Sequence, residues 1–364
     1  MTLLAPRPVP DPPLDDAVLA PPLPRQDPVR TLPIVVLYPH SRCNCRCVMC
    51  DIWRARERAE VAPGEVAGWL DEWRRLGVQR VVLSGGEPLM HSQIWELCEV
   101  LAGAGIAVTL LSTGLLLRRH ARELVRYCDD VVVSVDGPPA VHDAIRRIPG
   151  AFAKLADGVA AVKDADPAVR VSGRCTVQRA NYRELRATVA AARHARLDRI
   201  SFLAADVSSE AFNRPGGWGD ERASEVALRA DDLPLLAEEI RLLEVECADE
   251  LASGFVSESG DKLRRRLHGH FAALLGGPPA PPAHCNAPWV STVIEADGTV
   301  RPCFFQPPLG NLREAGSLDA VLNSPAARRW RAGLDVERDE ICRRCVCSLS
   351  LRSGNPELAP AAVD

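Results

Sequence analysis

The sequence of 364 residues predicts an α/β fold built on a parallel sheet. Short apolar runs typical of buried parallel strands alternate with helical patterns between residues 32 and 207. The connections between these segments are short, which favours right-handed crossover units. These two observations leave a partial barrel and a flat doubly wound sheet as alternatives. Either architecture places its ligand at the carboxyl ends of the strands.

The elements follow one another in a regular order. The first helix is predicted to begin near Pro63 and to stop at Gly77, because proline suits a first turn and glycine ends a helix. The predicted strands are 32–38, 79–84, 107–112, 130–135, 169–176 and 199–203. The predicted helices of this part are 63–76, 91–104, 118–127, 151–165 and 182–195. Two further helices are expected at 232–251 and 258–275, and a hairpin turns at Asp297-Gly298.

The sequence divides into five segments. Residues 1–33 hold ten prolines, so residues 1–31 are predicted to form an extended, partly disordered arm. The alternation of strands and helices at 32–207 predicts the core domain. The alternation stops after residue 207, which predicts a helical insertion or linker there. The remaining segments are the insertion 208–284, a small cysteine-rich domain at 285–350 and a tail at 351–364.

Composition excludes several classes of partner. The net charge is −4 and the pI is about 6.1, which gives no reason to expect nucleic acid or an anionic membrane. No stretch reaches the roughly 18 apolar residues that a membrane helix needs. The chain has 13 cysteines and no secretory signal pattern, so metal ligation in a reducing cytoplasm is a better explanation than disulfides.

One cysteine-rich loop follows the first predicted strand. Cys43, Cys47 and Cys50 have the spacing C-x3-C-x2-C, while Cys45 lies off that spacing. Dense thiolates select zinc, copper(I) or iron–sulfur clusters. Three ligands are one short of a closed site, so a cluster held here keeps one iron open. Half of a structural zinc site is the alternative for a C-x2-C pair alone.

This loop, ending in Asp51-Ile52-Trp53, resembles the cluster loop of the radical S-adenosylmethionine (SAM) superfamily. The resemblance implies a partial (β/α)6 barrel similar to a TIM barrel. It also implies a [4Fe–4S] cluster held by Cys43, Cys47 and Cys50, whose open iron is chelated by SAM. In that family, one electron passed to the sulfonium releases a 5′-deoxyadenosyl radical, which makes the three cysteines catalytic.

Motifs at later strand ends strengthen the resemblance. Gly85, Gly86, Glu87 and Pro88 end the second strand and resemble the GGE motif that holds the SAM amino group. A tight turn before a helix is the structural alternative. Further along, Ser134 and Asp136 resemble an S-x-D-G segment near the SAM ribose and carboxylate, and Arg146 is implied as a guanidinium available to a carboxylate. A surface salt bridge is the alternative for Arg146.

A second set of cysteines lies near the end of the chain. Cys285, Cys303, Cys342 and Cys345 provide four thiolates, enough to close a site. The pattern resembles the Twitch-type auxiliary domain, a truncated form of the SPASM domain, and implies a second [4Fe–4S] cluster. A four-thiolate zinc site is the alternative. Substitution of one ligand by Cys347 would open this cluster to substrate.

The sequence therefore predicts a radical SAM oxidoreductase with two clusters. The expected substrate is a peptide or protein, from which the deoxyadenosyl radical removes a hydrogen atom. One alternative is dehydrogenation or epimerisation of a small alcohol or sugar in natural-product biosynthesis; the other is a non-catalytic iron–sulfur electron carrier. The resemblance also implies an external reductant such as flavodoxin or ferredoxin. The cysteine content, without a secretory signal pattern, predicts a cytoplasmic location.

Overall fold

The computed structural model describes residues 22–56, 58–278 and 284–353. The greater part of the predicted arm, residues 1–21, and residues 354–364 of the predicted tail lie outside the described residues. Residues 22–31 form an irregular and mostly exposed segment. Leu23 donates its backbone N–H to Leu351 at 2.8 Å, and Val29 is buried with its N–H bonded to Asn323. This part of the arm therefore lies against the C-terminal region.

In the described part of the chain, the strands form one nine-stranded sheet in the order β6-β5-β4-β3-β2-β1-β7-β8-β9. Neighbouring strands from β6 to β7 run parallel. The first six strands agree with the predicted ones, and the mixed α/β fold with a parallel sheet is confirmed. They are β1 (Ile34–Leu37), β2 (Arg80–Leu83), β3 (Ala107–Ser112), β4 (Asp130–Ser134), β5 (Arg170–Val177) and β6 (Arg199–Ala204).

Helices connect these strands, because a parallel pair needs a crossover rather than a tight turn. The first one carries proline in its first turn, and the backbone N–H of Ala62 is capped by Glu65 at 2.8 Å. It ends before Gly77, whose φ of 69° few other residues adopt. The helices are α1 (Pro63–Arg75), α2 (Ile94–Gly103), α3 (Ala121–Tyr127), α4 (Pro139–Arg146), α5 (Ala151–Ala165) and α6 (Leu185–His194).

Helix α4 is absent from the sequence-based prediction. It has only eight residues, and its buried positions include the polar side chains of His142 and Arg146. These eight residues are fewer than the roughly 11–18 over which a hydrophobic period is counted. Pro139 in its first turn is the signal that was overlooked. The helix matters because it carries Arg146 to the end of the sheet.

After β6 the chain forms a helical region. The two long helices expected here are interrupted. The first is divided at Cys247, and the second contains a π-helical segment at Arg264–His268. The helices are α7 (Asp220–Val226), α8 (Leu233–Glu246), α9 (Ala248–Ala252), α10 (Gly260–Leu263) and α11 (Gly269–Leu274).

The C-terminal region continues the same sheet. β7 (Ser291–Ile294) pairs in parallel with β1, and the predicted hairpin is confirmed by its antiparallel pairing with β8 (Thr299–Arg301). The hairpin turns at Gly298, whose φ is 89°. The remaining elements are α12 (Ala287–Val290), β9 (Gly310–Asn311), α13 (Leu312–Ala315), α14 (Leu318–Leu322), α15 (Pro325–Gly333) and α16 (Glu340–Arg343). The second cysteine region is thus attached to the core by backbone hydrogen bonds.

None of the helices in the described part of the chain has the length and apolarity that a membrane span requires.

The buried His270 on α11 predicts a dependence of stability on pH. Burial lowers its pKa to about 4, below the ordinary value of about 6.5. As pH falls through 6.5, the unfolded state binds a proton that the folded state does not, so stability decreases. Between these two pKa values, the contribution of His270 to the free energy of unfolding falls by roughly 1.4 kcal/mol for each pH unit. The loss is measured as thermal unfolding under anaerobic conditions between pH 7 and pH 5.

His270→Gln removes this contribution, so the variant is expected to lose less stability over the same range. His268→Gln is the matched control, because that side chain lies two residues earlier and is only partly buried. Parallel pH profiles for the wild type and His270→Gln would contradict the prediction.

Candidate active site at the carboxyl ends of the strands

The cysteine loop begins after β1 and is held against the C-terminal end of α4. Arg46 and Val48 donate their backbone N–H groups to the carbonyl oxygens of Arg146 and Ile145, at 3.2 and 3.1 Å. Trp53 donates its indole N–H to the carbonyl of Cys50 at 2.8 Å. The first two bonds hold the loop against α4, and the third closes the turn after Cys50.

The three predicted ligands differ in their electrostatic surroundings. Burial raises the pKa of both Cys43 and Cys50 to about 12. The pKa of Cys47 is lowered, first by a hydrogen bond with Cys45 and also by the charge of Arg146. Burial therefore favours the protonated forms of Cys43 and Cys50. Their deprotonation as ligands therefore requires a cationic partner, and a coordinated metal supplies that charge.

The donor set fits an iron–sulfur cluster. Three thiols on one loop are soft donors, and the loop brings no carboxylate or imidazole among them. Among the described residues, no three His, Cys, Asp or Glu side chains converge tightly enough for a single metal ion. Cys45, the off-spacing thiol, is buried at 1% exposure.

Arg146 does not project into solvent. Its guanidinium donates to the sulfur of Cys47 at 3.4 Å and forms an ion pair with Asp136 at 2.6 Å. Both partners are buried, and Asp136 also accepts from the backbone N–H of Thr176 at 3.0 Å. Although burial opposes it, the negative charges of Asp136 and Cys47 raise the pKa of Arg146. The surface salt bridge considered for this arginine is therefore wrong, since the pair lies inside the protein.

The end of β2 approaches the cysteine loop very closely. A Cβ atom on Gly86 would lie 1.8 Å from the carbonyl oxygen of Arg42, and one on Gly85 would lie 2.8 Å from the ring of Tyr38. Gly85 also has a φ of 92°. Only glycine fits at these two positions, because any side chain would overlap with the loop or with Tyr38. Two strand ends are therefore packed together without intervening side chains.

Glu87 lies fully inside the protein. Its carboxylate accepts from the hydroxyl of Ser112 at 3.0 Å, from the N–H and hydroxyl of Thr113 at 2.7 and 2.6 Å, and from the N–H of Leu89 at 3.1 Å. Burial raises the pKa of Glu87 in spite of these bonds. The carboxylate therefore links the ends of β2 and β3. Its main-chain carbonyl contacts the ring of His40 at 2.6 Å.

The other two predicted residues have less specific surroundings. Pro88 is buried and opens the short 3₁₀ turn Pro88–Met90. Ser134 is the last residue of β4 and is partly buried. Both lie at strand ends on the side of the sheet where the cysteine loop begins.

The segment after β6 contacts the cysteine loop, which sequence reasoning missed. Trp218 donates its indole N–H to the carboxylate of Asp51 at 2.6 Å, and Asn213 donates to the carbonyl of Asp51 at 2.9 Å. Arg222 donates to the carbonyl of Val48. The overlooked signal is a lone tryptophan in the glycine-rich stretch Pro215–Gly219. Part of the predicted insertion therefore closes over the loop.

The second set of cysteines lies in the C-terminal region. Burial raises the pKa of Cys303 to about 11 and that of Cys342 to about 12. Gln306 donates to the sulfur of Cys342 at 3.3 Å, and Cys347 donates its backbone N–H to the sulfur of Cys345 at 3.3 Å. The charges of Cys285 and Cys347 also raise the pKa of Cys303. Five thiols thus share this neighbourhood.

Tyr38 lies between the two sets of cysteines. It follows β1 directly, and its ring centroid lies 6.4 Å from that of Phe304, the neighbour of Cys303. Burial raises the pKa of Tyr38, and the charges of Cys50 and Cys303 add to this effect. The two sets therefore lie on the same side of the sheet. A cavity of about 210 Å³ nearby is lined by Asp206, Ser208, Ser209, Phe305, Arg344 and Cys345.

Comparison with protein families gives two matches. The family described as "Radical SAM superfamily" matches residues 37–192, which include the cysteine loop and the first strands. The family SPASM, described as "Iron-sulfur cluster-binding domain", matches residues 285–346, which include the second set of cysteines.

Several curated proteins are similar in sequence. An AdoMet-dependent heme synthase of Methanosarcina barkeri is 29% identical over 308 residues, covering 79% of this chain and 82% of the relative. One of Nitratidesulfovibrio vulgaris is 31% identical over 134 residues, covering 34% of this chain and 35% of the relative. The subtilosin biosynthesis protein AlbA of Bacillus subtilis is 25% identical, covering 85% of this chain and 63% of the relative. The matched parts span 35% of the second and 63% of the third of these proteins, which is less than two thirds of each.

Solved structures share the fold. Streptococcus suis SuiB bound to the precursor peptide SuiA superposes with a TM-score of 0.62 at 14% identity, covering 91% of this chain and 76% of SuiB. The protein anSMEcpe with bound AdoMet has a TM-score of 0.63 at 17% identity, with 86% of each chain covered. Together with the family matches, these findings establish the fold as the partial barrel of radical SAM enzymes. The chain belongs to the radical SAM superfamily and is an enzyme with a C-terminal SPASM iron–sulfur domain.

Proposed function

We propose that the chain is an oxidoreductase that uses SAM to modify a peptide or protein. The observation that carries the chemistry is the loop with Cys43, Cys47 and Cys50, held rigidly beside the glycine-lined end of β2. When bound, a [4Fe–4S] cluster supplies the electron that cleaves SAM to a 5′-deoxyadenosyl radical, which removes a hydrogen atom from the substrate. The protein supplies orientation and excludes side reactions.

The chain's own residues have distinct proposed roles around SAM. Gly85 and Gly86 bring bare backbone close to the cysteine loop, which suits recognition of a small polar group by main-chain atoms. Glu87 is a positioning residue, because its carboxylate is occupied by Ser112 and Thr113. Pro88 keeps the turn after it rigid. Direct contact between the Glu87 carboxylate and the SAM ammonium group would require a rearrangement of these bonds.

Arg146 and Asp136 have a proposed role at the sulfur of Cys47. The guanidinium already has two partners, so its contact with the SAM carboxylate, implied by family resemblance, is not needed to explain its burial. A hydrogen bond to a cluster sulfur stabilises the reduced state and raises the potential. We assign Arg146 to tuning of the first cluster. Ser134 remains the proposed polar contact for SAM at the end of β4.

Cys285, Cys303, Cys342 and Cys345 are the proposed ligands of the auxiliary cluster. With four protein ligands, such a cluster would accept the electron left on the substrate after hydrogen-atom removal. The position of Tyr38 and Phe304 between the two sets of cysteines supports electron exchange within one active site. Cys347 is the proposed substitute ligand, because its N–H already contacts Cys345.

A peptide substrate is supported by the shape of the site and by two similar proteins. The cavity beside Cys345 lies between the segment after β6 and the SPASM domain, and its polar lining suits main-chain amides. SuiB has been observed with a precursor peptide, and AlbA acts in biosynthesis of the bacteriocin subtilosin. Because this chain is an enzyme, the alternative of a non-catalytic electron carrier is set aside.

A small molecule is the second candidate. Similarity to the heme synthase of Methanosarcina barkeri extends over 308 residues and supports a tetrapyrrole rather than an alcohol or sugar. The two candidates are separated by anaerobic turnover with SAM and dithionite. One set of reactions contains a peptide encoded beside the gene or a panel of precursor peptides. The other contains iron-coproporphyrin as the candidate substrate. Substrate-dependent 5′-deoxyadenosine and a mass change confined to the peptide are expected. A mass change confined to the porphyrin would contradict the peptide proposal.

The first cluster is tested by removing its three thiols. The triple variant Cys43→Ala, Cys47→Ala and Cys50→Ala is expected to lose about four iron atoms per chain, because a [4Fe–4S] cluster is lost. It should form no 5′-deoxyadenosine, as measured by chromatography after anaerobic reconstitution. Cys45→Ala is the matched control within the same loop and should retain both iron and SAM cleavage. Normal iron content in the triple variant would refute the assignment.

The role of Arg146 is tested by the direction in which two substitutions shift the reduction potential of the first cluster. Arg146→Gln removes a positive charge near Cys47 and is expected to lower the cluster potential, whereas Asp136→Asn removes a compensating negative charge and should raise it. Each shift is on the order of 60 mV, which corresponds to a tenfold change for one electron. A redox titration followed by electron paramagnetic resonance without SAM measures both. Shifts in the same direction would rule out this electrostatic role.

A further inference from the structure

The cysteine loop has one side that faces solvent. A cavity of about 540 Å³ is lined by Cys43, Asn44, Arg46, Trp53, Arg147 and Ile148. Cys50, by contrast, lies on the side of Tyr38, whose pKa its charge raises. The loop therefore separates two faces. One is directed toward the auxiliary cysteines, and the other opens to the exterior through Cys43.

Two exposed arginines, Arg46 and Arg147, line this cavity, and three more follow the loop in the chain. We call them the basic rim and define it as Arg46, Arg54, Arg56, Arg58 and Arg147, all of which are exposed. Arg147 follows α4 with a φ of 54°, so the chain turns directly after the buried Arg146. Arg54 stacks on the ring of Trp53 at 4.9 Å. The rim thus joins the loop, the segment after it and the end of α4.

The segment that carries Arg58 is fixed beside the loop. Ser41 donates its N–H to the carbonyl of Ala59 at 3.2 Å, and Arg42 pairs with Glu60 at 2.8 Å. This pairing lies immediately before Cys43 in the chain. Arg56 lies two residues before Arg58 in the chain and is also exposed. Glu57, between them, lies outside the described residues.

The charges of the basic rim are largely uncompensated. Within the described residues, no carboxylate forms an ion pair with Arg46, Arg56, Arg58 or Arg147, whereas Arg54 pairs with Asp51 at 3.1 Å. The whole chain carries a net charge of −4, so this concentration of positive charge is local. Like charges gathered on one surface repel each other, and an anionic partner relieves that repulsion. Such a surface also accelerates association with a partner of opposite charge.

We propose that the basic rim is the docking surface for an acidic electron-carrier protein. The proposal rests on the proposed function, since it concerns delivery of the electron used to cleave SAM. The reduced carrier loses one electron, and the cluster held by Cys43, Cys47 and Cys50 gains it. No proton or bond change is required in this step. The outer face suits delivery because it is open while the other face is occupied by Tyr38 and the SPASM domain.

The test measures reduction of the cluster itself, so that it does not depend on SAM cleavage or on the substrate. Stopped-flow absorbance follows bleaching of the reconstituted, oxidised cluster after mixing with reduced flavodoxin, an acidic carrier, or with dithionite. The double variant Arg46→Glu and Arg147→Glu is expected to slow reduction by flavodoxin at least about tenfold, because electrostatic steering accounts for factors of this size. Reduction by dithionite should stay within about twofold of the wild type.

Salt dependence provides a second measurement. The flavodoxin-driven rate of the wild type should fall as ionic strength rises, while the rate of the double variant should change little. The double variant Arg46→Gln and Arg147→Gln removes both charges without reversing them. Its effect on the flavodoxin-driven rate is expected to be intermediate. It also covers the case in which the reversed variant loses its cluster. The control is Arg122→Glu and Arg329→Glu, on α3 and α15, which are exposed arginines without an ion pair to a described carboxylate.

Three outcomes overturn the proposal. One is an unchanged flavodoxin-driven rate in the Arg46 and Arg147 variants. Another is an equal loss in the control variant, which would indicate a general effect of net charge. The third is normal cluster reduction combined with weakened peptide or porphyrin turnover under dithionite, which would assign the rim to the substrate. Failure of SAM cleavage in the wild type, with cluster reduction intact, would instead contradict only the proposed function.

Discussion

The buried guanidinium of Arg146 is the charge around which the active site is arranged. Burial of an unpaired charge costs several kcal/mol, and loss of one partner from a buried pair costs about 3–5 kcal/mol. Arg146 therefore needs both Asp136 and Cys47. Asp136 is itself held by the N–H of Thr176 on β5. Through this chain of contacts, the positions of β4, β5, α4 and the cysteine loop depend on one another.

Close packing at the strand ends adds a second constraint. The cysteine loop leaves β1 and passes over β2 at a distance that only Gly85 and Gly86 permit. Glu87, directly after them, ties the end of β2 to β3 through Ser112 and Thr113. The loop is therefore enclosed by β2 on one side and by α4 on the other. Rigid placement of ligands before metal binding lowers the conformational entropy lost when the cluster is bound.

The continuity of the sheet explains how two cysteine sets, separated by more than 200 positions in the numbering, are placed in one site. β7 pairs with β1 residue by residue from Ile34 with Ser291 to Leu37 with Ile294. Tyr38 leaves the end of β1, and Phe304 follows the hairpin of β7 and β8. Backbone hydrogen bonds, rather than a flexible linker, thus set the relation between the two sets. The segment from Asp206 to Arg222 closes the remaining side through Trp218 and Asp51.

The sequence by itself determined the alternation of strands and helices, the cysteine spacing and the glycine pair, because these signals are local in the chain. Residue patterns of period two or 3.6 and fixed ligand spacings are visible without the fold. It did not reveal α4, the environment of Arg146 or the role of Trp218. Those depend on contacts between residues far apart in sequence, such as Cys47 with Arg146 or Asp51 with Trp218. Only the tertiary structure decides which charges are buried together, because burial and pairing are properties of the packed molecule.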